Sequence, residues 1–157
     1  MTTGRGDGET EVILGIIETE LAHLMRLGEA SRRSSAAAPH RALDRAAYVI
    51  LRQLADGGPQ NVSALAARLN LDGSTITRQV AAMQRDGLVS RTADPNDGRG
   101  TVVTATRAGL RRMEHVSAAR RELYGRILAD WSERDRRSLA TLMHRLNESL
   151  DRHTRNG

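Results

Sequence analysis

The stretch from Ser63 to Gly109 constrains this chain most, because it sets two short helical patterns, a tight turn and a Gly-rich hairpin in a fixed order. Ser63 is placed to cap a helix over Ala64 to Leu69, with Leu65 and Leu69 inward, since its hydroxyl can accept an otherwise orphan backbone N–H. Asp72 does the same for a second helix over Gly73 to Arg85, whose inward stripe is Ile76, Val80 and Met83. At about 100° per residue, Ser74, Arg78, Ala81 and Arg85 project from the opposite side, with Thr75 and Ala82 beside them. Gly87 suits the left-handed conformation that ends a helix, and Leu88 and Val89 return the chain to the core. Two short strands, Val89 to Ala93 and Thr101 to Thr106, flank Asp94-Pro95-Asn96-Asp97-Gly98-Arg99-Gly100, a turn tipped by Arg with no apolar residue to bury. The order is that of a helix-turn-helix followed by a wing, a device that sets one helix in a DNA major groove and a hairpin toward the flanking minor groove.

Charge falls on the same segment. The 157-residue chain carries a net charge of +5 and contains no Lys, so all 24 cationic side chains are Arg. Residues 60–112 hold eight Arg against four Asp and so account for four of the five net charges, as attraction to phosphates requires. Trp131, Tyr48 and Tyr124 are the whole aromatic complement, too sparse for the stacking platforms of single-strand or RNA readers, so duplex DNA is the expected partner. The absence of Cys removes disulfide, thiolate-metal and thiol-switch chemistry. The five His show no ligand spacing, and no phosphate loop, HExxH motif or G-x-S-x-G elbow is present, so no metal, cofactor or catalytic site is expected. No apolar run reaches the length of a membrane span and Met1 to Thr10 do not form a signal sequence, which points to a cytoplasmic protein with no membrane partner.

Helical periodicity flanks this segment. Val12, Ile13, Ile16, Ile17, Leu21, Leu24 and Leu27 predict a helix from about Glu11 to about Arg33, and Ser34 to His40 reads as a connector. A helix from Leu43 to Asp56 turns Ala47, Ile50, Leu51 and Leu54 inward and stops at Gly57-Gly58-Pro59. Leu110, Met113, Val116, Leu123, Ile127 and Leu128 mark a long helix, and Trp131 reads as a packing anchor. Ser132 and Asp135 have capping-box spacing ahead of a last helix, striped by Leu139, Leu142, Met143, Leu146 and Leu150 and reaching about Arg152. The expected organisation is a flexible tail over 1–10, a DNA-binding region over 41–108, and a helical dimerisation region over 11–40 and 109–155. A winged helix of roughly 65 residues has too little surface to cover three further amphipathic helices, so their stripes are expected to close against a second copy. Two-fold symmetry then sets the recognition helices ~34 Å apart on a pseudo-palindromic operator.

The runs Val62-Ser63-Ala64-Leu65-Ala66, Ser74-Thr75-Ile76-Thr77-Arg78, Gly87-Leu88-Val89-Ser90-Arg91, Asp94 to Gly100 and Thr106-Arg107-Ala108-Gly109 together resemble the MarR family of bacterial transcription regulators, and the likeness extends over nearly the whole chain. Ala105 stands where a Leu is usual before the closing Thr, and Gly98 where a second Arg is frequent. The resemblance implies a mainly α fold with a small β wing: a winged helix-turn-helix with N- and C-terminal dimerisation helices that interlock in an obligate homodimer. It also implies repression of neighbouring genes and release from DNA when a small aromatic or anionic effector binds between the dimerisation helices and the DNA-binding lobe.

Single residues take provisional roles. Arg78 is the candidate base reader, because guanidinium donates two parallel hydrogen bonds to guanine. Ser74, Thr75 and Thr77 at the start of the same helix are candidates for phosphates or base edges. Ser63 is a candidate phosphate contact through its helix's N-terminal amides, with plain capping as the alternative. Arg99 is the candidate minor-groove residue, Asp97 its support within the hairpin, and Arg91 a backbone contact or an ion-pair partner of Asp94. His23, Arg45 and Tyr48 are the candidate polar groups of an effector pocket. The competing reading is a winged-helix module for protein contacts or non-specific DNA binding, which calls for apolar anchors around Arg78 where this chain has Ser, Arg and Ala.

Overall fold

A computed structural model describes residues 4–34, 43–95 and 100–156, in two units, Met1–Ala38 and Pro39–Gly157. The first unit is one helix, α1 (Gly4–Ser34). It begins seven residues ahead of Glu11, so residues 4–10, expected in a tail, are helical. Of its stripe, Val12, Ile13, Ile16, Ile17, Leu24 and Leu27 are exposed and Leu21 is half-buried. The connector expected after it falls, over residues 35–40, outside the described residues.

In the second unit, side-chain caps set the helix starts. Asp44 Oδ1 accepts the Ala47 N–H at 2.7 Å and opens α2 (Arg45–Gly57), whose buried residues are the expected Ala47, Ile50, Leu51 and Leu54. Asp72 opens α4 (Gly73–Arg85) where expected, with Ile76, Val80 and Met83 buried. The helix between them departs from expectation: α3 (Val62–Leu69) is capped by Asn61, whose Oδ1 accepts the Ser63 N–H at 2.8 Å. Ser63 is therefore not the cap but lies in the first turn, because the strand ahead of α3 brings the Asn61 amide to the helix start. Leu69 is half-buried rather than buried, at the margin of the core. After α4, Gly87 takes φ +70° and the Leu88 N–H donates to the Met83 carbonyl at 2.9 Å, turning the chain sharply into the sheet.

The sheet has three antiparallel strands in the order β1-β3-β2 rather than two: β1 (Gln60–Asn61), β2 (Val89–Ala93) and β3 (Thr101–Ala105). β2 and β3 pair as the wing, with Arg91 opposite Val103, and β1 adds Gln60 opposite Val103 on the other edge. Two residues are too few for alternation to register in a sequence, which is why β1 escaped the periodicity argument. Ile50, Leu51, Leu65, Ile76, Val80, Val103 and Val116 are fully buried, so every element from α2 to α5 except β1 and β2 contributes a side chain to the centre of one core.

Thr106 caps α5 (Arg107–Ile127) by accepting the Gly109 N–H at 2.9 Å, while its own hydroxyl donates to the Gly87 carbonyl at 2.7 Å. The start of α5 is thereby tied to the turn that ends α4. The last helix, α6 (Glu133–Asn156), runs four residues past Arg152 and buries none of its residues; Leu142, Met143, Leu146 and Leu150 are exposed. Its capping box is altered: Ser132 Oγ accepts the Asp135 N–H at 3.1 Å, but the Asp135 carboxylate takes the Ser132 hydroxyl at 2.7 Å rather than a backbone amide. Trp131, expected as a packing anchor, is 44% exposed and lines an open groove with Leu139 and Leu142 of α6.

Candidate nucleic-acid interface

The outer face of α4 is built by its own cap. Asp72 Oδ1 accepts the Thr75 N–H at 2.8 Å and the Ser74 hydroxyl at 2.5 Å, and Oδ2 accepts the Thr75 hydroxyl at 2.6 Å. These bonds, the Ser74 hydroxyl foremost, hold the Asp72 carboxyl far below the usual carboxylate range. The Thr77 hydroxyl donates to the Gly73 carbonyl at 2.7 Å, one turn back. Arg78 is exposed and makes no ion pair among the described residues; Arg85 is exposed one face-length further along. The helix thus turns outward two guanidinium groups, three internally bonded hydroxyls and the small Ala81.

A depressed carboxylate links folding to pH with a definite sign. With its folded value below the unfolded one, Asp72 contributes stability that is complete above the ordinary carboxylate range and is lost as pH falls through the folded value. Asn at position 72 keeps an acceptor for the cap but cannot titrate. The difference in urea midpoint between wild type and Asp72→Asn is therefore expected to be largest near neutrality and to shrink below about pH 4. A difference that stays flat with pH counts against the carboxylate's role.

The remaining candidates are distributed around α4. Ser63 is exposed in the first turn of α3. Arg91 is half-buried on β2. Asp97 and Arg99 lie outside the described residues. The base of the wing is described: the Asp94 N–H donates to the Gly100 carbonyl at 3.0 Å, and Asn61 Nδ2 donates to Asp94 Oδ2 at 3.2 Å. A Cβ on Gly100 would meet Asn61 Nδ2 at 2.9 Å and Asp94 Cβ at 3.0 Å, so a larger residue there would displace the Asn61 amide. Asn61 is the residue that sequence reasoning missed. One side chain caps α3 and fastens the wing, and the only sequence signal for it was an Asn just ahead of the α3 pattern.

The effector-pocket candidates divide between the units. His23 is exposed on α1, and Arg45 is exposed at the first position of α2. Tyr48 is half-buried against the core, with the Arg120 guanidinium 4.3 Å from its ring centroid, a cation–π contact that covers the ring from α5. Among the described residues no group of three His, Asp or Glu is disposed to hold a metal, and no helix is long and apolar enough to cross a membrane.

The sequence model of the MarR family matches residues 43–101, from two residues ahead of α2 to the first residue of β3. The uncharacterized HTH-type transcriptional regulator YxaD of Bacillus subtilis (strain 168) is 36% identical over 108 residues, covering 69% of this chain and 76% of that protein. The chain belongs to the MarR family. Its relatives include the HTH-type transcriptional repressor IacR of Pseudomonas putida, 33% identical over 108 residues that cover 66% of this chain and 65% of IacR. The fold matches the crystal structure of the PcaV transcriptional regulator of Streptomyces coelicolor in complex with its natural ligand, with a TM-score of 0.66 at 23% identity over 81% of this chain and 90% of PcaV. This MarR-family chain is accordingly a helix-turn-helix transcriptional regulator that binds DNA, and α3, α4 and the β2–β3 wing are the parts of it that form the family's winged helix.

Proposed function

We propose that the chain is a sequence-specific repressor that grips duplex DNA as a homodimer in the cytoplasm and is released by a small aromatic or anionic effector. The observation that carries the reading is the outer face of α4, where Arg78 and Arg85 stand among short side chains with no apolar anchor. A module for protein contacts needs such an anchor at its centre, and an enzyme needs a sheltered cluster of reactive groups. Arg78 is assigned to base reading, Ser63, Ser74, Thr75, Thr77 and Arg91 to the edges of that contact, and Arg99, supported by Asp97, to the minor groove.

Dimerisation is proposed from the exposed stripes. α6 leaves Leu142, Met143, Leu146 and Leu150 in solvent, and α1 leaves seven aliphatic residues so. Apolar surface on this scale calls for cover, and a second copy supplies a matching face. The region 41–108 is then the DNA-binding part, and 11–40 with 109–155 the dimerising part. Repression is supported by the name of IacR, and the binding of a small ligand by the PcaV complex. His23, Arg45 and Tyr48 are the proposed polar contacts of the effector.

The test is binding to the DNA upstream of the chain's own gene, measured by fluorescence anisotropy at several salt concentrations, with footprinting of the bound site. Two subunits each setting three Arg against phosphates predict a loss of about 10³-fold in affinity between ~50 and ~200 mM salt, together with a symmetric footprint. Phenolic and anionic compounds are then screened for release. Affinity for this DNA no greater than for random duplex sinks the proposal.

A further inference from the structure

The hydroxyl protons at the start of α4 all point inward. Ser74 and Thr75 donate to the two oxygens of Asp72 at 2.5 and 2.6 Å, and Thr77 donates to the Gly73 carbonyl at 2.7 Å. A hydroxyl has a single proton to give and two lone pairs. Bonds of this length to a carboxylate are the charge-assisted kind, shorter and stronger than those to neutral acceptors. The carboxylate also receives the Thr75 N–H at 2.8 Å, so its position is fixed by the helix and not only by the hydroxyls.

We infer that Asp72 is a positioning residue for base selection: by holding the protons of Ser74 and Thr75 it leaves both hydroxyls able only to accept, and so directs the start of the recognition helix to the exocyclic amino group of adenine or cytosine. The inference rests on the DNA-binding reading of α4 and adds the chemistry of its first turn. In the major groove adenine N6 and cytosine N4 are the donors, whereas guanine N7 and O6 and thymine O4 only accept. Phosphate oxygens likewise only accept, and the Asp72 charge repels them. Ser74 and Thr75 thus have no proton for a phosphate, and the Thr75 amide is already taken by the same carboxylate. Arg78, one turn further on, has donors and no acceptor and complements them by taking guanine. The helix start and its middle then read opposite halves of the groove's donor and acceptor code.

Chemical deletion of single base groups tests this. A duplex is first enriched from a random-core library by the wild-type protein. Each adenine in it is then replaced by purine nucleoside, and each cytosine by 2-pyrimidinone nucleoside, which removes one major-groove amino group at a time. Loss of one such group per half-site is expected to weaken wild-type binding about fivefold, the worth of one hydrogen bond. Ser74→Ala or Thr75→Val is expected to bind the intact and the amino-deleted duplex equally at that position. Asp72→Asn keeps an oxygen for the cap but cannot receive both hydroxyls, so it is expected to show a smaller loss there, while its overall affinity rises with the removal of a negative charge. If Asp72→Asn gains affinity uniformly and retains the full fivefold loss, Asp72 acts only as cap and charge and the inference is overturned. It is equally overturned if no amino deletion is coupled to Ser74 or Thr75, a result open to the two hydroxyl variants even should position 72 prove intolerant of change. A wild-type protein that enriches no sequence at all overturns the DNA-reading proposal and this inference with it, and so is distinct from either failure.

Discussion

Gly109→Ala is expected to destabilise the protein by about 3 kcal/mol or more, a large effect for one added methyl group. The new Cβ would lie 2.1 Å from the Leu88 carbonyl oxygen, 2.9 Å from its carbon and 3.0 Å from Leu51 Cδ2. The carbonyl cannot retreat easily, because it accepts the Thr106 N–H at 3.0 Å. Relief requires either that α5 lift from the core or that the turn between α4 and β2 open, and the second shifts the end of α4. Gly125→Ala supplies the control on the same helix: nothing stands within 4 Å of its Cβ position, and an exposed helical Gly→Ala change is expected to stabilise by up to about 1 kcal/mol. Denaturant unfolding of the two variants measures the contrast. Equal stability for both would refute the account of how α5 is seated.

Arg78→Ala is expected to cost about 1–3 kcal/mol of binding per half-site, roughly five- to 150-fold, and to relax base preference at one position. The side chain is exposed and does not belong to the buried Ile76, Val80 and Met83 stripe, so stability should change little. Arg107→Ala, also exposed but at the first position of α5, is the comparison for plain loss of charge: it should weaken binding to all sequences evenly and lower the salt slope. Competition against single-base variants of the site separates the two behaviours. An Arg78→Ala protein that loses affinity equally for every variant would assign this residue to phosphate.

Much of the architecture was readable before any coordinates. The bounds of α4, its Asp72 cap, its three buried residues and the left-handed Gly87 all follow from a single helix's periodicity and from local hydrogen-bond chemistry. The buried face of α2 was legible for the same reason. What escaped was long-range. β1 exists because Gln60 and Asn61 find β3 some forty residues away, and no local pattern announces a two-residue strand. Asn61 displaced Ser63 as the cap of α3 because that strand delivers it there, and the same amide could be seen to fasten Asp94 only once the wing had folded back. Tyr48 reads from the sequence as a polar group in an apolar setting, but its neighbour Arg120 lies on a different helix.

The candidate site divides in the same way. That Arg78 and Arg85 share a face with Ser74 and Ala81 is a consequence of 3.6 residues per turn, and the sequence alone determined it. Where the hydroxyl protons point is not written in any periodicity, since Ser74 and Thr75 have several acceptors within reach and the folded backbone selects Asp72 among them. The Thr106 and Gly109 pair shows the physical reason. A residue's helical or strand preference acts over one turn and is carried by neighbours in the chain, whereas close approach of Gly109 to Leu88, and of the Thr106 hydroxyl to Gly87, is a demand made by segments some twenty residues apart that meet only when the core closes.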